Sequence, residues 1–120
     1  MLKVPETLAR RLYVPRSLSN TEHGFRFALR NVLGTGDITE LKWLQVNGEQ
    51  LDHSKVAVGL RGVHVPATSI SPRVPLSLEH GDEVEVTADG VHLQPGRHRV
   101  ELAVTLTAVG GASMAFIDEI

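Results

Sequence analysis

The chain has 120 residues and a mass of 13.1 kDa, the size of one domain. It has no cysteine, which excludes disulfides, zinc knuckles and thiol catalysis. Its net charge of −2 argues against a nucleic-acid partner, and no apolar run reaches the ~18 residues of a membrane span. The first twelve residues mix apolar side chains with prolines and charges, unlike a secretory signal, so we expect a cytoplasmic protein.

Residues 1–20 form a predicted N-terminal arm, and residues 21–120 form a predicted single domain. Pro5 and Pro15 interrupt the arm, which excludes it from a sheet interior, and Leu8 with Leu12 indicates one helical turn. The first 30 residues carry a net charge of +4, which leaves −6 for the rest. The arm is too apolar for a free tail, so we expect it to lie on the domain's own sheet or on another subunit. Its apolar residues are Leu2, Val4, Leu8, Leu12, Tyr13, Val14 and Leu18.

The first predicted strands follow the arm. Residues 24–31 alternate, with Phe25, Phe27 and Leu29 on one face. Residues 34–37 are a predicted loop, and residues 41–46 are a predicted strand. This strand ends at Asn47-Gly48, the sequence typical of a type I′ hairpin turn.

The second half of the chain alternates strands with turns. Short strands are predicted at residues 55–60, 84–86 and 113–117, and the proline-rich residues 61–75 are predicted to be loop or edge strand. The longest alternation covers residues 97–109 and predicts a long central strand. Together these features predict an all-β fold, an antiparallel β-sandwich of about 8–10 short strands.

No motif in the chain predicts an active site. The six histidines lack metal-ligand spacing, no serine lies in a nucleophile elbow, and no glycine-rich loop precedes a helix. His98 begins the apolar face of the long strand, where a hydrogen-bonded rim residue is expected. We therefore predict no catalytic, cofactor-binding or metal-binding residue in this chain.

Trp43 is the one candidate for an exposed aromatic platform of the kind that binds sugars. We expect it instead to be a core tryptophan beneath the Asn47-Gly48 hairpin. A stand-alone carbohydrate-binding or adhesion module is therefore the alternative function.

Several short motifs together resemble the small β subunit of bacterial C-glycoside deglycosidases, from about residue 20 to the C-terminus. They are Gly24-Phe25-Arg26-Phe27 running into Leu29-Arg30-Asn31, Val46-Asn47-Gly48-Glu49 with Leu51-Asp52, Gly81-Asp82-Glu83-Val84, Leu93-x-Pro95-Gly96-x-His98-x-Val100 and a closing Phe116-x-Asp118.

The resemblance implies a non-catalytic or accessory subunit of a hetero-oligomeric lyase. A larger TIM-barrel α subunit would carry a divalent metal, usually Mn²⁺, and the catalytic residues. That complex would cleave the carbon–carbon glycosidic bond of 3-oxo-C-glycosides such as those of flavonoids. The chain itself would bind no cofactor, nucleic acid or membrane.

A subunit interface would then include the arm and the loop from His64 to Pro75. Arginine beside apolar side chains is a common interface composition. The candidate interface residues are Leu8, Arg10, Arg11, Leu12, Tyr13, Arg16, His64 and Pro66.

Overall fold

The computed structural model describes all 120 residues and confirms the all-β sandwich. It has one α-helix, α1 (Glu6–Leu12), and two short 3₁₀ turns, His53–Lys55 and Ala67–Ser69. No helix has the length and apolar character needed to cross a membrane. The strands are β1 (Leu2–Lys3), β2 (Ser19–Asn20), β3 (Gly24–Arg30), β4 (Gly36–Val46), β5 (Glu49–Gln50), β6 (Val56–Leu60), β7 (Val63–Pro66), β8 (Leu76–Leu78), β9 (Glu83–Asp89), β10 (Arg97–Leu106) and β11 (Gly110–Glu119).

The strands form two sheets. The first sheet has the order β1-β11-β10-β4-β5, and β8 also pairs with β4. The second sheet has the order β2-β3-β9-β6-β7. All pairs are antiparallel except β1–β11, which is parallel.

The core lies between the two sheets and consists of the side chains that point inward, which are every second residue along most strands. Phe25 and Phe27 from β3 and Val100 from β10 are completely buried. Alternation predicts that eleven apolar residues form the core, and of these only Leu29 is half-buried rather than buried. The buried members of that predicted set are Phe25, Phe27, Val56, Val58, Val84, Val86, Val100, Leu102, Val104 and Phe116.

The predicted strand 97–109 is central in its sheet but shorter than expected. It ends at Leu106, and residues 107–109 form a turn into Gly110, whose φ of 76° is in the left-handed region that favours glycine. The longest strand is instead β4, with 11 residues. It begins at Gly36, inside the predicted loop, because β8 pairs with it from Gly36 to Ile38.

Two local predictions are confirmed around these strands. Asn47 and Gly48 have φ values of 53° and 84°, as a type I′ turn requires, and they join β4 to β5. The proline-rich segment after Arg61 supplies β7, which is the edge strand of the second sheet.

Candidate functional site

The arm lies along one side of the sandwich and touches both sheets. Its first strand, β1, pairs with β11 at the edge of the first sheet. Helix α1 then crosses to the second sheet and packs against both β11 and β3. After the helix, residues 13–20 follow the edge of β3, from the bridge between Tyr13 and Leu29 to the short strand β2.

The arm contributes to the domain's own core. Ala9, Leu12, Tyr13 and Leu18 are buried, and three of them belong to the single large apolar cluster. The Tyr13 ring stacks between Phe27 of the second sheet and Phe116 of the first, with centroid distances of 6.3 and 4.8 Å. Tyr13 therefore links the two sheets.

The hydroxyl of Tyr13 makes a strong polar contact at the edge of this core. It donates a hydrogen bond of 2.5 Å to Asp118 Oδ2, and the Leu18 N–H donates to the same oxygen at 3.1 Å. Burial, together with this bond to the carboxylate, raises the pKa of Tyr13 well above its ordinary range. The tyrosine is therefore a neutral donor that holds the arm to β11.

A groove of about 730 Å³ separates the arm from the outer part of β11. That volume lies within the range of roughly 300–1,000 Å³ that is usual for ligand sites. One wall is β11, with the half-buried Met114, the buried Phe116 and Ile117, which is 57% exposed. The residues lining the groove are Lys3, Val4, Pro5, Glu6, Arg10, Tyr13, Pro15, Arg16, Arg99, Glu101, Ser113, Met114, Ala115, Phe116, Ile117 and Asp118.

Two of the four cations at the groove are already paired. Arg10 contacts Glu6 at 2.5 Å, and Arg99 contacts Glu101 at 2.8 Å. Lys3 and Arg16 form no ion pair.

The candidate interface residues do not form one patch. The structure brings Arg10, Tyr13 and Arg16 together at the groove, whereas Arg11 is exposed on α1 outside its lining. Leu8 is half-buried and Leu12 is buried, so Leu12 is not accessible to a partner. Docking of the exposed members onto a partner stays a prediction.

His64 and Pro66 lie elsewhere, on the edge strand β7. His64 Nε2 is 3.4 Å from Glu85 Oε1, and Glu85 in turn accepts a 2.8 Å bond from Arg26. A Cβ on Gly59 would lie 2.7 Å from the His64 ring, so the glycine makes room for that ring. This polar cluster lies on the outer face of the second sheet and is separate from the groove.

Sequence pattern does not indicate the groove residues on β1, β10 and β11. Lys3, Arg99 and Ile117 each look like an ordinary surface residue of a strand, and no motif joins them. Their proximity depends on the pairing of β10 with β11 and on the parallel pairing of β1.

His98 has a structural role, as expected of a rim residue. Its Nε2–H donates to the Gln94 carbonyl at 2.6 Å, and its Nδ1 accepts from Asn47 Nδ2 at 2.9 Å. These partners fix a neutral tautomer with the proton on Nε2. The chain contains no cluster of three or more His, Cys, Asp or Glu side chains arranged to hold a metal ion.

Trp43 is not the core tryptophan that we expected. It is half-buried on the outer face of the first sheet, opposite Ala103. The register shifts between Ala103 and Val104, so that Lys42 and Trp43 both lie between the inward-facing Leu41 and Leu44. The irregular pairing removes Trp43 from the core, and strict alternation could not reveal this.

Comparison with known proteins corrects the family assignment. No curated protein matches the chain. A family model described as hydroxymethylglutaryl-CoA reductase, N-terminal domain, matches residues 8–120. The resemblance to the C-glycoside deglycosidase β subunit is therefore wrong, because its short motifs recur in unrelated sandwiches, whereas the family model matches nearly the whole chain.

The lyase, C-deglycosylation and flavonoid assignments are wrong for the same reason. The α subunit, its Mn²⁺ and the 3-oxo-C-glycoside came only from that resemblance and lose their basis with it. The match over residues 8–120 shows that the chain belongs to the family of hydroxymethylglutaryl-CoA reductase N-terminal domains.

Proposed function

We propose that this chain is a docking module that binds the catalytic part of a hydroxymethylglutaryl-CoA reductase and contributes no catalytic residue itself. The observation that carries the proposal is the groove between the arm and β11, with its exposed Ile117 and its unpaired Lys3 and Arg16. The family to which the chain belongs supports the choice of partner.

The roles of the polar side chains also support a binding function. His98 is held by two hydrogen bonds inside the fold, and the Asp118 carboxylate accepts bonds from Tyr13, Leu18 and Glu119. Both groups therefore have structural partners that a proton-transfer role would have to disrupt. In this proposal, the electron donor that a reductase needs binds to the catalytic part.

Co-expression with the catalytic part of the reductase from the same source tests the proposal. We expect a complex by analytical ultracentrifugation, weakened by Arg16→Glu at the groove and unaffected by Arg11→Glu outside it. Reduction of the CoA thioester by the isolated chain, or the lack of any complex, would overturn it. A cytoplasmic location belongs to the same proposal and is tested by cell fractionation.

A carbohydrate-binding module is the second candidate, and the position of Trp43 favours it. Trp43 is the only tryptophan and lies half-buried on an outer sheet face. A sugar stacked on the indole would change its fluorescence. Titration with a panel of free glycans tests this function, with Trp43→Phe as the control that removes the signal. Saturable binding of one glycan would favour the module over the docking function.

A further inference from the structure

We propose that the groove accepts an extended acidic segment of the partner, which adds as a new strand to the open edge of β11. This inference rests on the docking function proposed above and specifies the chemistry of the partner. Addition of a strand to an exposed sheet edge is a general mode of peptide recognition.

The edge of β11 is paired over only part of its length. β1 pairs with Ala112 and Ser113, and the Val4 N–H donates to the Ser113 carbonyl at 2.8 Å. Pro5 then ends the pairing, because proline has no N–H and the chain turns into α1. Beyond Ser113, no strand pairs with this side of β11.

The direction in which the unpaired backbone groups of β11 point follows from the hydrogen bonds that β11 makes with β10 on its other side. The Arg99 backbone N–H and C=O bond to Asn47, on the β4 side of β10. The neighbouring Val100 therefore directs its backbone groups to Phe116 of β11. Along β11 the direction alternates, so Ala115 and Ile117 direct their N–H and C=O away from β10, into the groove.

The groove matches a short strand in length and in side-chain environment. Residues 115–119 of β11 cover roughly 16 Å at the usual rise per residue. On one side, an added strand would meet the apolar side chains of Met114, Phe116 and Tyr13, which line the groove. On the other side it would meet Ile117. Alternate side chains of the added strand would thus contact apolar surface.

Charge decides the preferred sequence of the added segment. Lys3 lies beside Ser113 at one end of the open edge. At the other end, Arg16 lies in the bend between Tyr13 and Leu18, which both bond to Asp118. Neither cation has an ion-pair partner, whereas the Asp118 carboxylate already accepts three hydrogen bonds. Over the whole lining, four cations (Lys3, Arg10, Arg16 and Arg99) outnumber three carboxylates (Glu6, Glu101 and Asp118), so the groove has an excess of one positive charge, which favours an acidic segment.

Fluorescence anisotropy with labelled peptides tests this inference on the full chain. The probe is the acidic peptide DVTVTVD, compared with its basic counterpart KVTVTVK and with DVTPTVD, whose proline interrupts a ladder. We expect the acidic peptide to bind about tenfold or more tightly than either control, a difference of about 1.4 kcal/mol. In hydrogen exchange by NMR, bound peptide should slow the Ala115 and Ile117 amides.

Two variants separate backbone pairing from charge. Ala115→Pro removes an outward N–H without removing a bond to β10, and we expect it to abolish peptide binding. If that variant does not fold, the double variant Lys3→Glu with Arg16→Glu gives the independent test. We expect it to reverse the preference toward KVTVTVK. Arg11→Glu is the matched control, because Arg11 is an unpaired arginine on α1 outside the groove.

Several results would overturn the inference. They are equal binding of the acidic and basic peptides, unchanged binding by a folded Ala115→Pro variant, and a dimer of this chain that Ala115→Pro disrupts, which would make a second copy the occupant. A reductase complex that survives Ala115→Pro would contradict strand addition but retain the docking function. Peptide binding without a reductase complex would retain strand addition and contradict the docking function.

Discussion

The arm closes one sheet edge completely and the other only at its start. Along β3, the arm supplies the Tyr13 bridge, the bond from the Val14 N–H to the Ala28 carbonyl, and the strand β2. Along β11, it supplies only the short strand β1. The arm therefore has two separable roles. Its contacts with β3 complete the core, whereas its departure from β11 leaves an edge open.

Ser17 shows how the closed edge is completed where the arm bends away. Its hydroxyl accepts a 3.0 Å bond from the Ala28 N–H and lies 3.4 Å from the Ala28 carbonyl. A side chain thus replaces the missing strand partner at a buried position. No equivalent side chain serves Ala115 or Ile117 on the open edge.

The largest effect is expected from deletion of residues 1–18, which removes β1, α1 and the contacts of Tyr13, Val14 and Ser17 with β3 but leaves β2 in place. Leu12, Tyr13 and Leu18 leave the core, at about 1.5–3 kcal/mol for each large side chain. That loss approaches the whole stability of a small domain, about 5–15 kcal/mol. We expect loss of the sheet signal in circular dichroism.

Deletion of residues 1–4 is the matched control, because it removes β1 but leaves Ala9 and Tyr13 in place. We expect this shorter chain to fold, with the edge of β11 open over its full length. A folded chain lacking residues 1–18 would contradict the structural role of the arm.

Tyr13→Phe should have the next largest effect, because it removes the bond between the arm and Asp118 while retaining the stacked ring. A hydrogen bond to a charged group contributes about 1.5–3 kcal/mol. Urea unfolding at pH 7 measures the change. An unchanged midpoint would show that the hydroxyl does not hold the arm.

The same tyrosine predicts a loss of stability in alkali. Its pKa is raised in the folded chain above the ordinary value of 10.0, chiefly by burial and then by Asp118. The stabilisation is therefore fully present below pH 10. It is lost as pH rises further, because tyrosine in the unfolded chain releases its proton first. Tyr13→Phe should remove this part of the alkaline sensitivity. In the unsubstituted chain, phenolate absorbance during a pH titration reports the ionisation of Tyr13, which is the only tyrosine.

Ser17→Ala and Ser113→Ala compare the two edges directly. Ser17→Ala leaves the buried Ala28 N–H without a partner and should cost about 1–3 kcal/mol. Ser113 lines the groove, and its side chain has no hydrogen bond, so Ser113→Ala should change stability by less than about 0.5 kcal/mol. Equal effects in thermal unfolding would contradict the difference between the edges.

A small stability effect is also expected at Arg16, which has a φ of 59° in the left-handed region. Arg16→Gly relieves this conformation but adds freedom to the unfolded chain, so the net change should stay within about 1 kcal/mol. Binding of DVTVTVD should weaken nevertheless, because one end of the groove loses its charge. A large loss of stability with unchanged peptide binding would show that Arg16 stabilises the fold and does not contribute to binding.

Local pattern was sufficient for much of the sandwich and for little of the site. Phe25 and Phe27 lie on one face of their strand with Arg26 on the other, and Asn47-Gly48 forms the expected turn, because these features depend on neighbours in the chain. The groove brings Lys3 and Tyr13 of the arm together with Ile117, which lies near the other end of the sequence. The short motifs that misassigned the family also belong to turns and strand ends, which unrelated sandwiches share.

Sequence pattern alone predicts the fold class, most of the core faces and the apolar character of the arm. These follow from alternation, from the positions of glycine and proline, and from the need to bury large side chains. The folded chain, and not the sequence pattern, shows that Gly36 begins the longest strand, that Trp43 lies outside the core and that β11 keeps an open edge. Each of these depends on which strands pair and in which register, and pairing is fixed by distant partners rather than by neighbouring residues.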